Sequence, residues 1–387
     1  MVKDLDEFEV TAERGFLPKL DPLDRLPSDF EPWEAIAHDL PRLLAAGKVR
    51  PAIESLPVLD ASRLADERQI RRAMVALSFV AHAYVWGEPN PVVRIPAALS
   101  VPWYRLSQGL GRPPVLSYAS YALDNWKRLD PEGPAELGNI VVLQHFLGGL
   151  DEQWFILIHV AIEAKAGRAL AAVVGAQKAV LTDSPAEVTG HLDVVAQTLK
   201  TVHEILLRMP EGCDPYIYYN RVRPYLHGWA NHPSLPEGIV YEVVDDYGGK
   251  PQSFRGETGA QSSLIALLDA ALGVTHAEDL LHTYLIEMRN YMPPKHRAFI
   301  DAVEAGPSIR NYVLQRRATS PSLRDAYNAA VDGLSHFRST HLEYADRYIF
   351  RQSQRGVHNP VAVGTGGTPF IPYLRKHRDE TAKHRIK

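Results

Sequence analysis

The stretch LRDAYNAAVDGLSHFRSTHLEYADRYIF, residues 323–350, decides the fold class of this chain. Its apolar and aromatic residues recur alternately four and three positions apart, which predicts a long amphipathic helix with one buried face. The inward positions are Leu323, Tyr327, Ala330, Leu334, Phe337, His341, Tyr344 and Tyr348. Charged residues fall mostly on the opposite face. One inward residue is therefore a histidine, between Phe337 and Tyr344.

His341 has two interpretations. A buried imidazole needs partners for its ring nitrogens, because an unsatisfied polar group in a core costs free energy. The first interpretation is a core histidine that is hydrogen-bonded to a backbone carbonyl. The second is an axial ligand to a haem that lies against this face of the helix. The helix alone leaves both open.

Helical periodicity recurs through the chain, and almost no segment alternates with a period of two, so the predicted fold class is all-α. Helices are expected at 31–46 with an interruption near Pro41, and at 67–86, 154–181, 184–209, 262–272 and 276–291. The segment 154–181 is apolar nearly all round, which is typical of a central, buried helix. Residues 1–30 have no sustained period and are expected to form an extended arm over the surface.

The segment DPEGP, residues 130–134, resembles a linker between two units. We expect a small N-terminal helical domain at 1–138 and a larger C-terminal helical domain at 139–387.

Composition excludes several classes of protein. The net charge is −4 and 45% of the residues are hydrophobic, so neither nucleic acid nor an anionic membrane is an expected partner. The first ten residues include several charged ones and lack the apolar core of a signal peptide. The longest apolar run, 154–162, is too short to span a bilayer. Together these features predict a cytoplasmic protein. Cys213 is the single cysteine, so an intrachain disulfide, an all-cysteine cluster and covalent c-type haem attachment are excluded. Any haem would be held non-covalently.

Familiar catalytic signatures are absent: the chain has no Gly-x-Ser-x-Gly, no His-Glu-x-x-His and no Walker A loop. The segment GTGGT, residues 364–368, lacks the preceding strand and the lysine of a phosphate-binding loop. It fits a mobile flap over a ligand, or a tail loop without a function.

Two other positions have a functional and a structural interpretation. Arg221 and Arg223 lie in the aromatic segment YNRVRPYLHGW. Either arginine could form a structural ion pair or bind a carboxylate in a bidentate manner. His159 lies in an apolar stretch. It is either a core histidine whose ring nitrogens are hydrogen-bonded within the protein, or a functional residue.

Seven segments, in order, resemble consecutive landmarks of the indoleamine 2,3-dioxygenase family. They are SFVAHAYVWGEP, SYASYALDNWKRLDP, RPYLHGW, GETGAQSS, MRNYMPPKHRAFI, FRSTHLEYADRYI and GTGGT, and they span roughly residues 75–370. MPPKHRAFI, RSTHLEYADRYI and GTGGT are the most specific. The chain is identified from these motifs as a bacterial-type member of the family.

The resemblance implies haem b between the small and the large helical domain. His341 matches the family's proximal ligand to the haem iron. Thr258, Gly259 and Ala260 match the loop that passes along the haem edge.

The resemblance also implies the substrate site. Arg223 matches the arginine that binds the substrate carboxylate, Thr365 lies in the flap that closes over substrate, and His159 would orient the indole. The pocket is expected to be lined by Tyr118, Tyr121, Ala122, Phe155, His159, Tyr218, Tyr219, Thr258 and Gly259.

The implied activity is insertion of both atoms of O₂ across the C2–C3 bond of L-tryptophan, giving N-formylkynurenine. Tyr218 and Tyr219 stand where the family commonly has phenylalanine, and His159 where mammalian members have a serine. Tyr218 and His159 favour a second hypothesis, a relative that acts on a modified indole in secondary metabolism. A third hypothesis, of another class, is a haem-binding oxygen sensor or storage protein without turnover. Arg223 in its aromatic surroundings argues against the third.

Overall fold

The computed structural model describes residues 2–355, 364–367 and 370–387. Helices dominate these residues, which confirms the predicted all-α class. The α-helices are α1 Glu31–Ala45, α2 Val49–Glu54, α3 Glu67–Trp86, α4 Ala97–Leu110, α5 Leu150–Leu181, α6 Pro185–Leu207, α7 Met209–Gly212, α8 Pro215–Ile217, α9 Ser263–Leu272, α10 Leu280–Arg289, α11 Pro294–Glu304, α12 Ile309–Arg316, α13 Pro321–Ala345, α14 Arg351–Ser353 and α15 Phe370–Ala382. The short strands are β1 Arg94–Ile95, β2 Trp126–Arg128, β3 Ile140–Val142 and β4 Val240–Tyr241. β1 pairs with β4 in parallel and β2 with β3 antiparallel.

Three long helices form the centre of the molecule. The helix α5 packs along α6, α6 packs along α13, and α13 also packs against α15. The helix α5 has apolar or small residues on nearly all of its sides, and most of its residues from Ile156 to Ala179 are buried. The prediction of a central helix at 154–181 is therefore confirmed. Because α5 and α13 are rigid and buried, they can hold side chains in fixed positions around a ligand.

The expected interruption of α1 at Pro41 is wrong. The helix runs without a break from Glu31 to Ala45 with Pro41 inside it. A proline removes the hydrogen bond to the carbonyl four residues earlier. Here that carbonyl, of Ala37, accepts a hydrogen bond from the side-chain amide of Gln144 at 2.7 Å. A residue distant in sequence thus replaces the missing donor.

The sequence predicted an N-terminal arm that lies over the surface, and this prediction is wrong for part of the arm. Phe8 and Phe16 are buried, and the Phe16 ring lies 4.7 Å from the ring of His296 in α11. Gly15 has a positive φ of 59°, and a Cβ there would lie 2.2 Å from the backbone oxygen of Glu163 in α5. Only glycine permits this close approach. The arm is therefore part of the core and touches the backbone of α5.

The segment from Asp130 to Pro134 is the turn of a hairpin. β2 and β3 pair in the register Trp126 to Val142, and the side chain of Asn139 bonds the backbone oxygens of Asp130 and Pro134. The predicted boundary at residue 138 lies inside this hairpin. The division into two domains stays a prediction.

Three π-helical turns interrupt the regular helices, at Ala119–Leu123, Tyr218–Val222 and Asp346–Phe350. The first contains Tyr121 and Ala122 and the second contains Tyr218 and Tyr219, which the sequence assigned to the site, and the third continues the helix that carries His341. π-helical turns occur often at functional sites, because they shift side chains out of the regular helical register. No helix among the described residues is long and apolar enough to cross a membrane.

Candidate haem and substrate site

A cavity of about 770 Å³ lies between α5, α9, α10, α13 and α15. The loop before α9 and the segment 364–366 complete its wall. Its volume is in the range of pockets that enclose cofactors and drug-sized ligands. Of the described residues that line it, Tyr118 alone belongs to the first 138. The candidate site is therefore built mainly from the C-terminal part of the chain.

His341 of α13 lines this cavity. The sequence predicted a buried imidazole between Phe337 and Tyr344, which is wrong: His341 is exposed, Phe337 and Tyr344 are half-buried, and all three side chains line the cavity. The ring forms no hydrogen bond with a described residue, so a backbone carbonyl does not explain its position. Desolvation by the surrounding cavity wall lowers the pKa of His341 to about 4, which favours the neutral imidazole. A neutral imidazole with an available lone pair is the donor that haem iron requires.

An ion pair one turn before His341 fixes the neighbouring wall. Both Nη atoms of Arg338 donate to the carboxylate of Asp269 in α9, at 2.9 and 2.6 Å. Both side chains line the cavity. Burial opposes the charge on Asp269, but Arg338 outweighs it and the pKa of this carboxyl falls to about 2. The sequence analysis missed this pair, because nothing in the pattern of α9 shows which helix Asp269 faces.

The helix α5 forms the wall that carries His159. Phe155, His159 and Glu163 follow one another at intervals of four residues, so they lie on one face and all line the cavity. Nδ1 of His159 lies 2.7 Å from the carbonyl oxygen of Phe155. A carbonyl only accepts, so Nδ1 carries the proton and Nε2 is an acceptor. Burial lowers the pKa of His159, which favours this neutral form.

Glu163 joins α5 to the loop before α9. Its Oε1 accepts hydrogen bonds from the hydroxyl of Tyr118 at 2.9 Å and from that of Ser262 at 2.7 Å. Burial raises the pKa of Glu163 to about 7. The side chain of Gln261 bonds the backbone N–H of Tyr118 at 2.9 Å and so reinforces the connection. Thr258, Gly259 and Ala260 line the cavity at the start of this loop.

The remaining candidate residues fall into two groups. Tyr218 lines the cavity beside Phe155, with ring centroids 4.6 Å apart. Tyr121, Ala122, Tyr219 and Arg223 are buried in the surrounding wall and are not among the lining residues. The ring centroid of Tyr121 is 6.2 Å from that of Phe155.

Arg223 is fully buried next to two aromatic groups. Its Nη1 lies 3.1 Å from Nε2 of His227, and its guanidinium carbon lies 5.4 Å from the centre of the Tyr219 ring. Burial lowers the pKa of Arg223 below its usual value, although the neighbouring tyrosines oppose this shift.

The segment 364–367 closes one side of the cavity. The hydroxyl of Thr365 donates to the carbonyl oxygen of Glu257, and Nη1 of Arg255 donates to the carbonyl oxygen of Gly366 at 2.8 Å. A Cβ on Gly366 would lie 2.5 Å from the hydroxyl oxygen of Tyr284, so a larger residue here would require the Tyr284 side chain to move. Thr368, the last residue of the predicted flap, lies outside the described residues.

Gly228 and Gly256 bring the loop before α9 against the backbone of residues 226–228. A Cβ on Gly256 would lie 2.2 Å from the backbone nitrogen of Gly228, and a Cβ on Gly228 would lie equally close to that of Gly256. The N–H of Glu257 then bonds the carbonyl oxygen of Leu226 at 3.1 Å. The backbone around Glu257 is therefore held firmly. Sequence analysis assigned no role to Glu257, although a charged residue within GETGA is an unusual choice for a cavity wall.

Comparison with known proteins gives a consistent answer along nearly the whole chain. The sequence model of the family described as Indoleamine 2,3-dioxygenase matches residues 4–384. Indoleamine 2,3-dioxygenase 1 of Rattus norvegicus is 38% identical, over 98% of this chain and 95% of the rat protein. Indoleamine 2,3-dioxygenase of Saccharomyces cerevisiae is 34% identical, over 97% of this chain and 92% of the yeast protein.

A third relative has a different name. A protein of Haliotis madaka named Myoglobin is 34% identical, over 98% of this chain and 98% of its own length. The match of the family model and the identities above 30% over nearly full length confirm the family and the enzyme class predicted from the sequence. The chain belongs to the indoleamine 2,3-dioxygenase family, a family of oxidoreductases.

Proposed function

We propose that this chain binds haem b non-covalently in the cavity and uses O₂ to convert L-tryptophan, or a closely related indole, to N-formylkynurenine or its equivalent. One observation carries the proposal: the neutral imidazole of His341 lies on the wall of a cavity of about 770 Å³ and has no hydrogen bond with a described residue. His341 would hold the iron, and Thr258, Gly259 and Ala260 would lie along the haem edge. When bound, the haem supplies an iron centre that takes up and activates O₂.

The distal wall would receive the indole. Phe155, Tyr118 and Tyr218 offer aromatic surface to a flat ring and keep water away from it. Nε2 of His159 would accept the indole N–H, because Nδ1 already donates to a carbonyl. His159 thus orients the substrate and takes no proton from it. Holding the two reactants together in a fixed geometry accounts for much of the rate gain.

The polar end of the substrate would lie near Arg223. A guanidinium binds a carboxylate with two parallel hydrogen bonds, and Arg223 lies beside the ring of Tyr219 and the imidazole of His227. Thr365 would close over the bound substrate, since its hydroxyl fastens the segment 364–367 to the loop at Glu257.

The experiment is a product assay. Haem-loaded, reduced protein is mixed with L-tryptophan and O₂, and N-formylkynurenine is measured by absorbance and mass spectrometry. We expect one product molecule for each O₂ consumed. Oxygen binding without any product would refute the proposed activity.

A second candidate keeps the chemistry and changes the substrate. The hydroxyl of Tyr218 and the imidazole of His159 add polar groups to the wall of an aromatic pocket. Such groups favour an indole with a polar substituent. A panel of hydroxylated and alkylated indoles distinguishes this candidate, because a modified indole should then have the higher kcat/KM.

A third candidate is reversible oxygen binding without turnover. The relative named Myoglobin favours it, because its identity to this chain equals that of the yeast dioxygenase. In this case the reduced haem protein would bind and release O₂ repeatedly, and L-tryptophan would neither shift its spectrum nor be consumed.

A further inference from the structure

Glu257 is a buried acid whose carboxyl has no partner among the described residues. Its side chain lines the cavity and is only 5% exposed, and it forms no hydrogen bond or ion pair with any described residue. Its backbone, in contrast, is held on both sides by Leu226 and Thr365. A buried carboxylate without a partner is unfavourable, so a site that retains one usually provides for a cation. Burial raises the pKa of Glu257 to about 8, with no opposing contact.

The other carboxyl of this wall differs in this respect. Glu163 already accepts two hydrogen bonds through Oε1, and its Oε2 is inaccessible within the protein. Glu163 therefore serves as an internal connection. Both acids line the cavity, but the oxygens of Glu163 are engaged or buried, so Glu257 is the one whose carboxyl is available to a ligand.

Glu257 and Tyr218 line the same cavity. Glu257 raises the pKa of Tyr218 and Arg223 lowers it, although burial has the larger effect. An α-amino acid carries a carboxylate and an ammonium group on one carbon. If its carboxylate binds Arg223, its ammonium group is the cation that a carboxyl on the cavity wall can bind.

We propose that Glu257 binds the ammonium group of the substrate. The inference rests on the proposed function, which puts the indole in this cavity and its carboxylate on Arg223. It adds a residue that determines specificity: the carboxyl of Glu257 would give this site its preference for a ligand with a primary amine.

The test is a set of binding titrations on the haem-loaded protein, followed by calorimetry and by the haem spectrum. Three ligands separate the groups: L-tryptophan has both charges, tryptamine has only the ammonium, and indole-3-propionate has only the carboxylate. We expect Glu257→Gln to weaken L-tryptophan and tryptamine by about tenfold or more, the loss of one charge-assisted hydrogen bond. Indole-3-propionate should bind the variant as well as the wild type or more tightly.

Glu163→Gln is the matched control, because it changes the other carboxyl of the same wall, whose oxygens are engaged by Tyr118 and Ser262 or buried. Any loss it causes should be equal for the three ligands. Glu257→Asp keeps the charge and should keep the preference for the amine. In the wild type, the affinity for tryptamine should increase as the pH rises toward 8, because the carboxyl then ionises, and the affinity for indole-3-propionate should not. This pH series decides the question if the Gln variant does not fold.

Two results would overturn the inference: unchanged L-tryptophan and tryptamine affinity in Glu257→Gln, or an equal loss for all three ligands. Its failure is distinguishable from that of the proposed function. Normal turnover of L-tryptophan by Glu257→Gln refutes the role of Glu257 and leaves the dioxygenase activity standing. Absence of turnover in a wild type that binds tryptamine through Glu257 refutes the activity and leaves the ammonium site standing.

Discussion

The hydroxyl of Thr365 donates a hydrogen bond to the backbone carbonyl of Glu257. This contact fastens the segment 364–367 to the loop that carries the unpaired carboxylate. The hydroxyl of Thr365 therefore connects the segment that closes the cavity to the backbone that positions Glu257.

Replacing Thr365 by Val should weaken closure. The lost hydrogen bond is worth about 1 kcal/mol, so we expect roughly a fivefold fall in kcat/KM with unchanged haem content. Thr365→Ser keeps the hydroxyl and should retain most of the activity. Steady-state kinetics with both variants measure the effect. If Ser is as impaired as Val, the methyl group and not the hydrogen bond is responsible.

Replacing His341 by Ala should abolish or greatly weaken haem binding, because the proposed iron ligand is gone. The readout is the Soret absorbance of reconstituted protein. His336→Ala is the control, since His336 is an exposed histidine on the same helix. Retention of the wild-type spectrum by His341→Ala would show that the iron has another ligand.

Replacing Arg223 by Leu should raise KM for L-tryptophan by about 10- to 100-fold, the loss of a charge-assisted bidentate contact. Haem content should not change. Arg221→Leu removes an exposed arginine two residues away and should have little effect. An unchanged KM in Arg223→Leu would place the substrate carboxylate elsewhere in the cavity.

Replacing His159 by Ala should reduce discrimination between L-tryptophan and 1-methyl-L-tryptophan, which lacks the indole N–H. The hydrogen bond to Nε2 is worth about 1 kcal/mol, so the ratio of kcat/KM for L-tryptophan to that for 1-methyl-L-tryptophan should fall roughly fivefold. The ratio of the two kcat/KM values measures this directly. A ratio that does not change would mean that His159 is not the acceptor of the N–H.

Stability should fall in acid because of His82. Burial lowers the pKa of His82 to about 3, and its nitrogens bond the backbone of Tyr225 and Leu116 at 2.8 and 2.9 Å. Below the unfolded pKa of about 6.5 the unfolded chain takes up a proton that the folded chain excludes, so the free energy of unfolding falls with pH.

Between pH 6.5 and pH 5 this difference amounts to about 2 kcal/mol. Urea unfolding at the two pH values should show a loss in the wild type that is larger by this amount than in His82→Gln. His38→Gln, at an exposed position, should behave like the wild type. Equal pH dependence in wild type and His82→Gln would mean that His82 titrates alike in both states.

The sequence predicted the elements whose signal is local. The apolar period of residues 323–350 placed His341 on the inward face of α13, and the composition of 154–181 placed α5 at the centre. Pro41 shows where local reasoning fails, because the donor that completes α1 is Gln144, more than a hundred residues later. The burial of Phe16 depends in the same way on α11.

In the candidate site, too, some residues could be predicted from local sequence and others could not. Motifs that resemble the family identified His341, His159 and the segment at Thr365. Glu257 could not be found this way, because its significance is the absence of a partner for its side chain, which only the packing of the surrounding loop reveals. Arg223 carried a signal in its aromatic neighbours, but its depth in the wall follows from the fold.

The contact between Gly15 and α5 bears on how the protein can be engineered. Gly15 rests on the oxygen of Glu163, and a Cβ on Gly167 would lie 2.5 Å from the oxygen of Ala12, so the arm presses on α5 at the turn that follows His159. Shortened versions that begin after residue 30 would expose the part of α5 that the arm covers, and would destabilise this helix beside the cavity. Affinity tags can be added in front of the arm, whereas trimming it should yield aggregated or inactive material.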